Sequence, residues 1–462
     1  MVTRILWCAL AMGGPAVLAR AASADAVAAP STGTGRSGAD IAPDLRMLLA
    51  DPDALAGWMR VHDPMVDVAQ ARVEAATAAA AQTRVLPNPA LDLEVGNFAL
   101  GHGNVDPNDG HHGPASVAHT THVSVGISEL FEIGKRTPRR AAAELRVRAS
   151  SETGLAVLGE HIGDALESLG HLAYVTARRD AVTLNLDAAK KLLALEKVRL
   201  DKADLSQAEY ARIDLDTDQL SLLLDRANAD VAEAIAQCST ALYGTCEPTS
   251  LDGTALDAGA PLPRVPTDIV AEIAARPARR ADQLEAAALG EDARLAGARA
   301  IPDPTVGISY SHDTYNYGGN LPNVAAVTVG IPLTIFDVGK ADAQAARATA
   351  RAIEAQSAAE VRVGAGHVDA LDDQLTALAN VLSRLEMDAV PKSARIIEQT
   401  RRSFDLGQAG LSDLLQVERA HRDLLLQVLD IRFELFTVRL QLRRELGLDD
   451  EAARAAIGRK QS

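Results

Sequence analysis

The sequence predicts a mainly α chain with a small β part, built as a duplicated unit of long helices around a strand hairpin. Three observations carry this. Segments recur in order: AQTRVLPNP (81–89) with AGARAIPDP (296–304), VSVGISELFEIGK (123–135) with VTVGIPLTIFDVGK (327–340), and LDKADLSQAEY (200–210) with LGQAGLSDLLQ (406–416). Their offsets of 215, 204–205 and 206 residues are too regular for chance. Long Ala/Leu/Glu/Arg-rich runs read as helices. Four short runs alternate apolar and polar residues with the period of a strand.

The elements follow in chain order. Residues 1–24 read as a cleaved signal peptide: Arg4 gives a positive start, Ile5–Leu18 is a short apolar run, and Ala22 and Ala24 give a small-residue cleavage site. Residues 25–53 read as a flexible lead-in. The first repeat spans 54–247. It opens with a helical stretch over Ala54–Val85, capped at Asp51-Pro52 and ended by Pro87 and Pro89. A strand pair follows over 90–130, in which Leu91, Leu93 and Val95 alternate with Asp92 and Glu94, and Val123, Val125 and Ile127 with Ser124, Gly126 and Ser128. Thr137-Pro138 then caps a helix of about 65 residues. Leu186, Leu193 and Leu200 have heptad spacing, interrupted at Glu196. Ser206 and Glu209 form a capping box that restarts a helix of about 36 residues.

Residues 248–267 read as a Pro/Gly-rich linker. The second repeat, 268–447, repeats the grammar: Thr267 caps a helix over 268–300, Pro302 and Pro304 stop it, and a strand pair covers 305–335. A twin long helix runs from Lys340 to about Phe404 and a closing helix over about 411–446. Residues 448–462 read as a C-terminal tail. Each strand is expected to reach about 10–12 residues, enough for a tilted membrane β-strand. Four such strands cannot close a barrel alone, because open edges are not tolerated in lipid, so several chains are required.

Composition limits the function. The chain has 462 residues, 62 acidic against 46 basic, a formal net charge of −16. This excludes a basic nucleic-acid-binding protein, a disordered polyampholyte and a disulfide-dense mini-protein. Beyond the signal no apolar run reaches helix-spanning length. No Walker A, GxSxG, HExxH or CxxC pattern occurs, so an enzyme is not expected and no cofactor is implied. Two cysteines follow the signal, Cys238 and Cys246. In an exported chain an even count suggests a disulfide closing a loop at a helix end, with two free thiols as the alternative. Phe98, Phe131, Tyr310, Tyr315, Tyr317 and Phe336 concentrate in the strand segments, as interfacial aromatics would. The rest reads as Ala-rich helix with little globular core to fill.

His102, His111, His112, His119 and His122 crowd into the connection of the first strand pair, beside Asp106 and Asp109. Imidazoles and carboxylates suit Zn, Co, Ni or Cu. A hydrophilic loop that happens to be histidine-rich is the alternative reading.

The order and duplication of LPNPALDLEVGN, GISELFEIGKRTPRRAAAE, IPDPTVGISY, GIPLTIFDVGKADAQAARA and FDLGQAGLSDLLQVERA resemble the TolC-like outer membrane efflux proteins, most of all the heavy-metal cation (CzcC-type) branch. The resemblance covers residues ~50–450. It implies a homotrimer whose strands make a 12-stranded outer-membrane β-barrel, continued by a periplasmic α-helical tunnel. It also implies a periplasmic adaptor (membrane fusion) protein, an inner-membrane RND-type pump, contact with outer-membrane lipid, and no nucleic acid. The helix-hairpin turns would then form the periplasmic tip, placing Asp201, Asp204, Ser206, Phe404, Gly407, Gly410 and Ser412 there, with Gly407 and Gly410 permitting a tight turn. In relatives, aspartates just past the second turn form a constricting ring. Asp413 matches the first position, while Gln416 departs from the pattern at the second. Three Asp413 carboxylates around one axis would favour cations, although an acid at a helix start also serves the macrodipole. The expected function is a passive exit duct. The competing expectation is a soluble periplasmic coiled-coil scaffold that sequesters metal through the histidine loop. The membrane-length strands discriminate between them.

Overall fold

The computed structural model describes residues 43–97, 121–248, 251–262, 265–314 and 321–458. The expected signal peptide lies outside these residues. The fold is mostly helical with one small antiparallel sheet.

The chain opens with α1 (Leu45–Ala50), α2 (Pro52–His62) and α3 (Pro64–Gln82). The single helix expected over 54–85 is therefore broken. Asp63 stops α2 and accepts the Met65 N–H at 2.8 Å, while Pro64 starts α3. The flexible lead-in expected over 25–53 also needs correction: Asp44 caps α1, and Leu45, Leu48 and Leu49 are buried.

Strands β1 (Ala90–Gly96), β2 (His122–Leu130), β3 (Thr305–Asp313) and β4 (Asn323–Gly330) form one sheet in the order β1-β2-β3-β4. All neighbours are antiparallel, and β2 pairs β3 across the two halves of the chain. These strands are 7, 9, 9 and 8 residues long, shorter than expected, and β4 ends at Gly330 rather than near 335.

From β2 the chain enters α4 (Arg136–Asp201), 66 residues and about 100 Å of continuous helix. Its first residue precedes the expected Thr137-Pro138 cap, and Lys135 at the N-cap makes no side-chain cap bond. Next comes α5 (Gln207–Leu242), opened by the Ser206–Glu209 capping box in both directions. The connection holds a short helix, α6 (Ala255–Ala258), before α7 (Ile269–Ala274) and α8 (Pro277–Gly297). Here Asp268, not Thr267, supplies the cap, accepting from the Ala271 N–H at 3.0 Å. A break before Pro277 splits the expected helix 268–300 just as Pro64 splits the first.

After β4 the second long run is α9 (Lys340–Arg384), a π-helical turn (Leu385–Ala389) and α10 (Val390–Asp405). Pro391 explains the wide turn. It has no N–H, so the Met387 carbonyl loses its helical partner. The chain ends with α11 (Leu411–Leu446) and α12 (Leu448–Gly458).

The long helices pair antiparallel, and a large hydrophobic core sits midway along them. Leu158, Ile162, Leu166, Leu169 and Leu172 of α4 meet Leu55 and Met59 of α2, Leu242 of α5 and Phe436 of α11. Gly170 makes this possible, since a Cβ there would overlap the Phe436 ring. The chain thus carries more globular core than its composition suggests. Each fully buried Leu or Phe contributes roughly 1.5–3 kcal/mol.

Segments expected to be loose complete this core. Leu251, Ala255, Leu256 and Ala260 come from the linker, and Ala452, Ala453 and Ala456 from the expected tail. Arginines of α11 tie the linker down: Arg439 donates to the carbonyls of Leu256 and Asp257, and Arg443 to that of Pro261. A disulfide joins Cys238 to Cys246 inside the same core.

Candidate functional site

Two regions could carry function: the sheet, and the two helix-hairpin turns. In the sheet the period-2 alternation fixes two unlike faces. The registers Leu91↔Ile127, Leu93↔Val125, Ile127↔Ile308, Ile308↔Val327 and Val306↔Val329 align apolar residues on one face. That face is exposed, with Leu93 at 71% and Val327 at 72%. The other face carries Asp92, Glu94, Ser124, Ser128, Ser309, Ser311 and Thr328. Ser128 donates to Asp92 at 2.8 Å. Gly126 and Gly307 occupy that polar face where the strands approach closely; a Cβ on Gly307 would lie 2.7 Å from Thr328 Oγ1. Among the described residues, β1 and β4 are each paired on one side. A sheet with one exposed apolar face and two open edges does not satisfy itself in water or in lipid.

Of the five histidines singled out from the sequence, His102, His111, His112 and His119 lie outside the described residues. His122 begins β2, and its Nδ1 is 2.7 Å from Asp313 Oδ1 on β3. Among the described residues no group of three or more His, Cys, Asp or Glu is placed to hold a metal. Phe98, Tyr315 and Tyr317 also lie outside the described residues.

The turns are built alike. Lys202–Ser206 joins α4 to α5, and Leu406–Gly410 joins α10 to α11. In each, one residue adopts a left-handed backbone, Ala203 (φ 62) and Gly407 (φ 71). Gly410 does not; at φ −79 and ψ 158 it is extended, so of the two glycines expected to permit a tight turn only Gly407 uses the left-handed region. Ser206 and Gly410 both precede the restarting helix, which aligns the turns at an offset of 204 rather than 206. Asp413 is thus the counterpart of Glu209. Each carboxylate accepts a backbone N–H at the helix start: Gly410 N–H to Asp413 at 3.1 Å, and Ser206 N–H to Glu209 at 3.1 Å. The Ser206 hydroxyl holds the Glu209 carboxyl below its usual range.

Gln416 is exposed, one turn beyond Asp413, and Asp201 and Asp204 are exposed beside the first turn. Phe404 is not exposed. It packs with Ile213, Leu411, Leu414 and Leu415 as the apolar centre of the turns, under the Arg199 guanidinium at 5.1 Å. Ser412 Oγ accepts from Arg212 at 3.1 Å, linking α11 to α5.

Near the turns, sequence reasoning missed the burial of Asp216 and Glu196. Asp216 of α5 accepts from Arg419 at 2.8 Å and from Arg422 at 3.3 Å, tying α5 to α11. Its signal was readable, since it borders the apolar series Ile213, Thr217, Leu220. Glu196, read only as a break in the heptad, is buried and met by Arg199 at 3.1 Å.

No helix among the described residues is long and apolar enough to cross a membrane. That statement does not bear on strands. The family described as Outer membrane efflux protein matches residues 57–240. No curated protein matches the chain in sequence. Among solved structures, the outer-membrane channel OprN is 17% identical with a TM-score of 0.67, covering 87% of this chain and 91% of that one. CusC is 14% identical with a TM-score of 0.70, covering 86% and 92%. VceC, an outer membrane protein of Vibrio cholerae, is 16% identical with a TM-score of 0.68, covering 87% and 98%. Residues 57–240 are therefore similar to the outer membrane efflux protein family, and nearly the whole chain shares the fold of these solved structures.

Proposed function

We propose that this chain is the outer-membrane exit duct of a tripartite efflux system. Three copies contribute twelve strands to one barrel, and their helices enclose a periplasmic tunnel. The chain moves substrate passively, driven by an inner-membrane RND-type pump through a periplasmic adaptor that meets the helical turns. No residue is assigned a catalytic role.

The observation that carries this reading is the sheet: one exposed apolar face, one polar face, and two edges that only further strands can satisfy. The soluble scaffold reading leaves that face unexplained. For substrate we infer heavy-metal cations. Support comes from the likeness to the CzcC-type branch, the acidic balance of the chain and the histidines at 102–122. Asp413 stands at the entrance in this reading, as a carboxylate both capping α11 and exposed at its start.

Reconstitution in planar bilayers tests the duct: stepwise conductance and trimer crosslinks are expected. No conductance, together with recovery in the soluble periplasm, would overturn it. Loss of the gene should lower tolerance to Zn, Co, Cd, Ni or Cu. Unchanged metal tolerance with lost tolerance to organic toxicants would overturn the metal assignment alone.

A further inference from the structure

Between the end of β2 at Leu130 and the first turns of α4 lies a cluster of four basic residues, and its members are not equivalent. Lys135 is spent on Asp303 at 2.6 Å, and Arg139 is spent on Glu132 through two bonds of 2.7 and 3.0 Å. Arg136 and Arg140 are one helical turn apart on the same face of α4. Arg136 donates only to the Arg84 carbonyl, at 3.0 Å, and no described residue pairs with Arg140. Nε of both arginines is buried without a hydrogen-bond partner. Both side chains are thus half-buried, and no described carboxylate neutralises them.

Their surroundings are apolar and exposed. Val85 and Leu86 are each 55% exposed, and Phe131 and Ile133 about as much. Phe336, the counterpart of Phe131 after β4, is 99% exposed. This apolar collar flanks the strands in sequence: Val85 and Leu86 precede β1, Phe131 and Ile133 follow β2, and Phe336 follows β4. The second repeat has no such charge, because Ala341 and Ala345 stand where the first has Arg136 and Arg140.

We propose that Arg136 and Arg140 bind the phosphate of an anionic phospholipid at the periplasmic boundary of the membrane. The collar of Leu86, Phe131 and Phe336 would seat in the acyl layer beside it. This rests on the outer-membrane placement above. The chemistry follows from the residues: a guanidinium fork matches phosphate oxygens, and its weak hydration suits a half-buried setting. Charge next to an exposed apolar rim selects a lipid over a free anion, which offers nothing to the rim. The duplication makes the site one per chain rather than two.

The test uses the full-length protein in detergent, with native mass spectrometry against phosphatidylglycerol and phosphatidylcholine. The wild type should retain phosphatidylglycerol preferentially. R136Q/R140Q should lose about twenty-five-fold in that retention, roughly fivefold for each arginine. R136K/R140K should keep only part of it, because lysine preserves the charge and loses the fork, and R139Q should lose little preference, since Arg139 is already paired. Equal retention of both lipids by the wild type, or undiminished phosphatidylglycerol retention by R136Q/R140Q, would overturn the proposal. So would dissociation of the oligomer in R136Q/R140Q with lipid retention unchanged, which would make the arginines a subunit contact. Wild-type conductance without lipid preference would sink this proposal while leaving the duct intact; failure to enter bilayers at all would sink both.

Discussion

The two helical pairs have the same lengths and are held together differently. Arg136–Asp201 and Lys340–Asp405 span equal numbers of residues, and each closing helix has 36. In the first pair apolar burial continues down the helices, through Val182, Leu186 and Ala189 of α4 and Leu220, Ala227 and Val231 of α5. In the second, the only buried residue between Leu371 and Phe404 is Ser393, and none is buried between Leu415 and Leu435. Polar ties span that stretch instead: Glu386 to Arg432 at 2.6 Å, Ser393 to His421 at 2.7 Å, and Arg401 to Glu418 at 2.9 Å. The π-helical turn and Pro391 lie in the same stretch. Duplication has kept helix length, which sets reach, and has let packing diverge.

The backbone turns diverge in the opposite sense. Left-handed residues occur at matching places: Gly134 and Gly339, Ala203 and Gly407, Tyr243 and Gly447. The second repeat uses glycine at all three, and the first at only one. The largest expected effect tests the shared position. At Gly339 a Cβ would overlap the Ala296 carbonyl, a backbone atom that cannot rotate away, whereas at Gly134 the nearest atom is Ile301 Cδ1 at 3.9 Å. Gly339→Ala should therefore cost about 4 kcal/mol or more. Gly134→Ala should cost only the left-handed strain, about 1–2 kcal/mol. Denaturant midpoints of the two purified variants check this, and equal losses would break the distinction between the repeats.

The ends of the closing helices give the next contrast. Tyr243 leads into the Cys238–Cys246 disulfide, while Gly447 leads into α12 and two buried acids. Burial pushes the Asp450 carboxyl up to about 6, against the pull of Arg276 at 3.4 Å, and pushes Asp449 up as well, despite its bond to Arg443. The folded state then binds protons that the unfolded chain has released. Stability falls as pH rises from about 4 to about 6 and is flat above that window. Asp450→Asn should remove about one proton from this dependence and raise stability at pH 7 by up to about 3 kcal/mol. Thermal midpoints at pH 4, 5, 6 and 7 measure it; a variant with the wild-type slope would remove Asp450 from the explanation.

How far the sequence could be read depended on whether the controlling signal was local. Long helices, the Ser206–Glu209 box and the alternation in Leu91–Val95 are local patterns, and all appear in the structure. Asp63-Pro64 is an equally local signal, the same pair as Asp51-Pro52, and it splits the helix expected over 54–85. What could not be read depends on distant partners. Leu45, Leu256 and Ala453 look like lead-in, linker and tail until α4 brings them together. At the turns, Asp413 is visible as an acid near a helix start. Its equivalence with Glu209, and the burial of Phe404, require the three-dimensional alignment of the two hairpins.

That alignment supplies the smallest effect and the cleanest one. Ala203 and Gly407 occupy the same place in the two turns with nearly the same φ, 62 and 71. Ala203 is exposed, and a Cβ on Gly407 would meet nothing within 4 Å, so exchanging the residues changes backbone preference and little else. Ala203→Gly relieves the left-handed strain but makes the unfolded chain more flexible. The net should be a gain of about 0.5–1 kcal/mol. Gly407→Ala should lose about 1 kcal/mol by the same reasoning run backwards. The double variant should fall near the wild type, because the sites share no partners. Should Ala203→Gly destabilise instead, the first turn owes its shape to contacts of the Ala203 methyl rather than to tolerance of strain, and the two turns would no longer be equivalent.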